Sequence, residues 1–323
     1  MSKSNFTLMA ELNKRNEQGL CLDTRSLGHN EARTLVNWKH AGAVVSPRPG
    51  MYVESSLWNE LSQRDRCLLL LRSVSARNPT WVFCHASAAL VHGLYISWKH
   101  LREVHVWQSK AQKRGCSAGV IRHTGPSPCY PVVIEGIPVT PRLITAADCM
   151  RTLPFGESLA VADSALRLEG IDSDAFLSRV EDVVRGRHGA GHARQAASHA
   201  NPLSESGGES IARSIMIENG FMLPKLQVVI PNRFEPDHPY RVDFCWVLPN
   251  GRLVIAEFDG FEKYRNPRMT RGRSLEETLF RQKVRDSRLS IEGAAVIHFD
   301  FDDIKNPERL VRLLEAFHVP RQA

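Results

Sequence analysis

Apolar residues recur every three or four positions along much of this chain, interrupted by short runs of β-branched and aromatic residues, and that alternation divides it into segments. Residues 1–55 read as three helices followed by a small hairpin. Asn30 is expected to cap a helix through E-A-R-T-L-V-N-W-K-H, with Ala32, Leu35, Val36 and Trp38 on its apolar side and Gly42 at its end. A-V-V-S, the turn P-R-P-G and M-Y-V supply two strands. Helix, turn, helix and wing in that order predicts a winged helix-turn-helix, whose second helix enters a major groove.

Residues 56–184 mix helical and strand-like text. The stretch L-S-Q-R-D-R-C-L-L-L-L-R-S-V-S-A opens the segment and the helix S-L-A-V-A-D-S-A-L-R-L closes it, with W-V-F-C-H and V-H-V-W between. Residues 185–207, rich in Gly, His, Ala and Ser, read as a small helix plus a linker. From 208 to 323 the order is helix, strand, strand, strand, helix, strand, helix, which predicts a mixed sheet flanked by helices. The fold class is therefore α/β, mixed, in three domains.

Composition narrows the setting. Of 323 residues, 42% are hydrophobic and 24% charged, ordinary for a globular protein with real cores. A formal charge of +7 favours a polyanionic partner. The seven cysteines, Cys21, Cys67, Cys84, Cys116, Cys129, Cys149 and Cys245, are odd in number and include no C-x-x-C, which argues against a disulfide framework or zinc ribbon. The N-terminal stretch does not read as a signal peptide and no apolar run approaches the ~20 residues of a spanning helix, so a cytoplasmic location and no membrane partner are expected.

The chemistry concentrates in two adjacent strand-like runs. R-V-D-F-C-W-V (Arg241 to Val247) and R-L-V-I-A-E-F-D-G (Arg252 to Gly260) flank a Pro249-Asn250-Gly251 turn and read as a hairpin. Antiparallel pairing then brings Asp243 and Glu257 to one end. Gathered carboxylates repel, and a divalent cation relieves them. Mg²⁺ (or Mn²⁺) needs only two carboxylates and a carbonyl, here Asp243, Glu257 and the carbonyl of Phe258, to activate water for phosphodiester hydrolysis. Glu209, at the start of a helix, is a further acid. Asp259 stands two residues after Glu257, and Lys263 lies four further on.

These residues carry a resemblance. G-E-S-I-A-R (208–213), R-V-D-F (241–244) and A-E-F-D-G-F-E-K-Y (256–264), followed by a helix with R-Q-K-V-R-D-S-R-L and a strand ending I-H-F, resemble the very-short-patch-repair-like branch of the PD-(D/E)XK nuclease superfamily. The resemblance implies Asp243 and Glu257 as metal carboxylates, Glu209 as the accessory helix acid, and Asp259 or Lys263 in the lysine role. The sequence departs from the superfamily pattern in lacking E-x-K. Residues 8–182 resemble the AbiEi-like abortive-infection antitoxin family. The matching text is R-P-G-M-Y-V, C-H-A-S-A-A-L-V-H-G-L, G-I-P-V-T and A-D-S-A-L-R. That family, of type IV toxin–antitoxin systems, pairs a winged helix with an α/β domain.

DNA is thus the expected partner, with a cognate toxin or a second copy of the chain as further candidates. Expected DNA contacts are Arg33, Asn37 and Lys39 on the second helix, Arg48 in the wing, Arg265, Arg268, Arg271 and Arg273 after the carboxylates, and Arg281 and Arg285 one turn apart on the next helix. His85 and Ser87 have no legible third partner and read as a helix start. Two functions stay open. One is a Mg²⁺-dependent DNA endonuclease in defence, toxin–antitoxin or repair processes. The other is a non-catalytic, antitoxin-like transcriptional regulator that keeps the nuclease fold as a DNA-binding scaffold.

Overall fold

Mixed α/β architecture is what the chain adopts. A computed structural model describes residues 3–109, 119–125, 130–260, 275–291 and 293–322. They fall into two units, Met1–Thr145 and Ala146–Ala323.

Unit 1 begins with α1 (Lys3–Glu17), β1 (Leu22–Asp23), α2 (His29–His40), β2 (Val44–Arg48) and β3 (Met51–Glu54), the strands pairing antiparallel in the order β1-β3-β2. Where a middle helix was expected there is β1 and a single 3-10 turn at Thr24–Ser26. Asp23 accounts for the difference. Its carboxylate takes the Arg25 N–H and the Arg77 guanidinium at 3.0 and 2.7–2.8 Å, which holds the chain extended there. The cap of α2 is Gly28, not Asn30, because the Glu31 carboxylate reaches back to the Gly28 N–H at 2.9 Å. Leu8, Leu12, Leu22, Leu35, Val44 and Tyr52 form the core of this part.

The rest of unit 1 is α3 (Ser55–Glu60), α4 (Gln63–Arg77), β4 (Val82–Phe83), α5 (His85–His92), β5 (Val104–Gln108), β6 (Val120–Thr124), β7 (Val132–Ile134) and β8 (Ile137–Val139). Its sheet runs β6-β5-β4-β8-β7, with β5/β6 and β4/β8 parallel. Leu69, Leu71 and Val74 of α4 pack on Phe83, Val104, Val106 and Val139 of the strands. Helix α6 (Arg142–Met150) spans the division between the units.

Unit 2 starts well before residue 208. Its helices α7 (Phe155–Glu169), α8 (Ser173–Val184) and α9 (Ala190–Ser198) precede α10 (Gly207–Glu218) in one body. The compact units thus divide near residue 145, while the sequence places domain ends at residues 184 and 207. The cause is a buried ion pair: Arg213 of α10 donates to Asp163 of α7 at 2.7 Å, the two side chains 6% and 0% exposed. Asp163 also accepts the Asn201 N–H at 2.8 Å, so the segment taken for a linker is fastened to the same carboxylate.

The sheet of unit 2 contains β9 (Lys225–Ile230), β10 (Tyr240–Val247), β11 (Leu253–Asp259) and β12 (Ala294–Asp300) in the order β12-β11-β10-β9. β9/β10 and β10/β11 are antiparallel, and β11/β12 is parallel. Parallel neighbours need a long crossover, and α11 (Leu275–Ile291) lies within it; α12 (Phe301–Lys305) and α13 (Pro307–Ala316) follow. Val254, Ala256 and Phe258 join a core with Ala212 and Met216 of α10 and Leu310 and Leu314 of α13. Ile255 joins Val242, Cys245 and Leu289 of α11 on the opposite face. Strand alternation then puts Glu257 and Asp259 on the α11 side. Among the described residues, no helix is long and apolar enough to cross a membrane.

Candidate functional site

The β10/β11 ladder runs from Val247↔Leu253 to Phe244↔Ala256 and stops. Beyond it the next pair would be Asp243 and Glu257, and here the strands part. The Asp243 carboxylate fills the gap: Oδ2 accepts the Phe258 N–H at 3.0 Å. The hairpin thus brings Asp243 and Glu257 to one end of the sheet.

Glu209 arrives from the first turn of α10. Ser206 caps that helix by accepting the Glu209 N–H, and Glu209 Oε2 reaches back to the Glu205 N–H at 2.8 Å. The same oxygen accepts from Gln227 Nε2 at 3.2 Å, and Gln227 also reaches Asp243 Oδ1 at 3.4 Å. Gln227 holds a left-handed backbone at φ +51°, so the residue bridging the two acids sits in a conformation rare for side-chain-bearing residues. Burial foremost, and the nearby Asp243 charge, push the Glu209 carboxyl above the usual range, against the pull of the Glu205 N–H.

Glu257 is buried, 6% exposed, and has a cation beside it. Arg285 Nη1 donates to Oε2 at 2.5 Å while Nη2 donates to the Arg241 carbonyl at 2.7 Å. Arg285, expected on a phosphate, is thus engaged with the carboxylate. Oε1 of Glu257 is buried with no hydrogen-bond partner among the described residues.

Asp259 is not cationic and does not fill a lysine's place directly. Its Oδ2 lies 3.1 Å from His298 Nδ1 and 3.3 Å from Gln282 Nε2, and His298 Nε2 lies 3.1 Å from Asp286 Oδ2. An imidazole facing a carboxylate at each nitrogen satisfies both only when doubly protonated. Accordingly the Asp259 hydrogen bond, assisted by the charges of Asp286, Asp259 and Glu257, raises the His298 pKa against the lowering effect of burial. His298 is register partner to Glu257 across β11/β12, so a basic side chain whose pKa is raised does stand beside the E-x-D text.

Neither His298 nor Gln227 was singled out from sequence. The available signal was weak: one polar residue interrupting each of the apolar runs I-H-F and L-Q-V-V-I. Glu209, Asp243 and Glu257 do not draw together as a three-ligand set with mutual spacings within 4.8 Å, the spacing found elsewhere among the described residues.

The remaining nominated residues divide. Arg33, Asn37 and Lys39 are all exposed on α2. Arg33 and Asn37, one turn apart, share a face, while Lys39 is about 200° further round from Asn37 and points elsewhere. Arg48 is not available in the wing as expected: its Nη2 donates to the Gly119 carbonyl at 2.8 Å, and burial lowers its pKa. Arg281 is exposed and paired with Glu277 at 3.3 Å. Lys263, Arg265, Arg268, Arg271 and Arg273 lie outside the described residues. Ser87 accepts the backbone N–H of His105 at 2.9 Å, a structural bond consistent with reading His85 and Ser87 as a helix start.

No family profile matches the chain. Two Mycobacterium tuberculosis proteins, uncharacterised protein MT2308 (strain CDC 1551 / Oshkosh) and uncharacterised protein Rv2248 (strain ATCC 25618 / H37Rv), are each 33% identical to it over 181 residues. The match covers 55% of this chain and 60% of each relative, so the chain spans less than two thirds of their length. The crystal structure of the Rv2827c protein from Mycobacterium tuberculosis aligns over 64% of this chain and 74% of that one at 14% identity. Its TM-score of 0.33 is too slight a likeness to carry an argument.

Proposed function

We propose that unit 2 is a divalent-metal-dependent DNA phosphodiesterase whose metal end is Asp243 and Glu257. The observation that supports this most is the buried Oε1 of Glu257, which has no hydrogen-bond partner among the described residues, next to an aspartate stationed where two strands part. A buried carboxylate oxygen without a partner is costly unless something else satisfies it. Hard oxygen donors of this kind suit Mg²⁺ or Mn²⁺, and Mg²⁺ commonly takes only one or two carboxylates and keeps its waters, so three converging acids are not required. Asp243, Glu257 and the Phe258 carbonyl are the residues that would hold it.

When bound, such an ion supplies an activated water and charge neutralisation at the phosphate. The chain's own residues do the positioning. Phe258 N–H and Gln227 hold the Asp243 carboxylate at both oxygens. Arg285 is placed to shift from Glu257 toward an incoming phosphate, a geometry for which a guanidinium fork is suited. His298, its pKa raised by Asp259 and Asp286, adds positive charge at the same sheet end whenever it carries its second proton.

One observation favours a second reading, a DNA-binding regulator without turnover: Arg285 already neutralises Glu257, as a retained scaffold would require. Cleavage of supercoiled plasmid and mismatched duplex with Mg²⁺, Mn²⁺ or EDTA separates the two. The phosphodiesterase reading expects metal-dependent nicking that falls at least about 100-fold in Asp243→Ala, since loss of a metal carboxylate forfeits several kcal/mol of transition-state stabilisation. Absence of nicking, with salt-sensitive DNA binding intact in both proteins, supports the regulator instead.

A further inference from the structure

Unit 1 holds a second cluster, built by three neighbouring strands. Cys84 follows β4 and caps α5, His85 is the first residue of that helix, His105 lies on β5 and His123 on β6. The Cys84 N–H donates to the His105 carbonyl at 3.1 Å, fixing the end of β4 to β5. The rings of His85 and His123 stack with centroids 3.5 Å apart and planes 16° from parallel, and His105 lies 5.1 Å from His123 at 14°. His105 Nδ1 and His123 Nε2 are 2.9 Å apart. The Cys84 sulfur and one nitrogen each of His85 and His123 all lie within 4.8 Å of one another. His85 reaches this place with φ +46°, a backbone conformation that residues with a β-carbon seldom adopt and that marks sites where position outweighs local comfort.

We propose that Cys84, His85 and His123 form a transition-metal site selective for Zn²⁺, with His105 as the positioning residue behind His123. A thiolate with two imidazoles is a borderline-soft set that suits zinc and not the magnesium of an all-oxygen site. Bonds of about 2.0–2.3 Å in tetrahedral geometry put ligand atoms roughly 3.5 Å apart, so the spacing found needs only a small contraction. Three protein ligands leave the fourth position open to water or a small ligand. The bond between His105 Nδ1 and His123 Nε2 orients the His123 ring as an outer partner of a ligating histidine does. Parallel stacked rings aim their lone pairs side by side, so ligation must also turn His85 and His123 out of the stack.

The test uses the full chain without a histidine tag, stripped of metal and titrated with Co²⁺ as a zinc probe. One equivalent should bring tetrahedral visible bands and a thiolate-to-cobalt charge-transfer band, both removed by excess Zn²⁺. Cys84→Ser should abolish the charge-transfer band, and His123→Gln, at a less buried position, should weaken Co²⁺ affinity at least about 10-fold. His105→Gln should lower affinity about 10- to 100-fold and move the visible bands while keeping the charge-transfer band, which loss of packing alone does not do. Glu257→Gln should leave every band unchanged, so the result stands apart from the carboxylate site of unit 2. A folded wild type that shows no charge-transfer band, or a band that survives in Cys84→Ser, overturns the proposal. So does unchanged Co²⁺ affinity in folded His123→Gln.

Discussion

Arg285 and Glu257 form a 2.5 Å ion pair across 28 residues of sequence, and the same guanidinium caps the carbonyl of Arg241. The charge on Glu257 is thereby held at the sheet end by a helix residue and not by its neighbours in sequence.

Removing that guanidinium should expose how the site tolerates its own charge. Arg285→Ala is expected to destabilise unit 2 by about 3 kcal/mol, the low end for breaking a largely buried pair. Mn²⁺ should then raise the melting temperature of the variant more than that of the wild type. Equal shifts in thermal melts would mean that no cation takes the place left by Arg285.

The pair Asp163–Arg213 makes a similar demand inside the helical layer. Asp163→Ala leaves Arg213 buried and uncompensated and should cost about 3–5 kcal/mol, read as a lower urea midpoint. The double variant Asp163→Leu/Arg213→Met should recover most of the loss, since a buried pair replaced by apolar groups is often neutral.

Gly208 lies against the ring of Phe258. A β-carbon there would sit 2.1 and 2.3 Å from two ring carbons. Gly208→Ala should therefore cost about 1–3 kcal/mol as overpacking and push Glu209 away from Gln227. Urea denaturation gives the first effect, and reduced nicking in the assay above gives the second.

His298 gives a pH signature with a defined sign. The folded state holds its proton more tightly than the unfolded chain, because Asp259 and Asp286 face both nitrogens. That stabilisation is complete below about pH 6.5, the ordinary imidazole value, and is lost as pH rises through the higher folded-state value. Urea midpoints should fall as pH rises above about 6.5 in the wild type and stay flatter in His298→Gln. The raised carboxyl of Glu209 adds a slope of the same sign that begins at the ordinary glutamate value of about pH 4.3, and the His298→Gln comparison separates the two.

What the sequence made legible follows the range of its interactions. The Pro249-Asn250-Gly251 turn, with Gly251 at φ +80°, sets the register of β10 on β11, and that register alone brings Asp243 toward Glu257. The order of elements from α10 to β12 was legible for the same local reasons. Arg285 on Glu257 and His298 on Asp259 were not, because both depend on a parallel crossover whose pairing no short-range pattern specifies. The boundary near residue 145 was hidden by Asp163 and Arg213, two ordinary-looking polar residues on helices whose relation appears only once they pack. At the N-terminus, Asp23 holds Arg77 and turns a stretch that looked helical into a short strand.

The parallel pairing of β12 on β11 also sets an order of events during synthesis. Asp243 and Glu257 belong to a hairpin that can close as soon as residue 259 has been made, whereas Arg285, Asp286 and His298 come later in the chain. A nascent chain therefore carries Glu257 without its Arg285 partner until the residues from 260 to 285 have been added. Through that interval Glu257 lacks the ion pair of the finished chain, and dissolved cations are the counter-charge at hand.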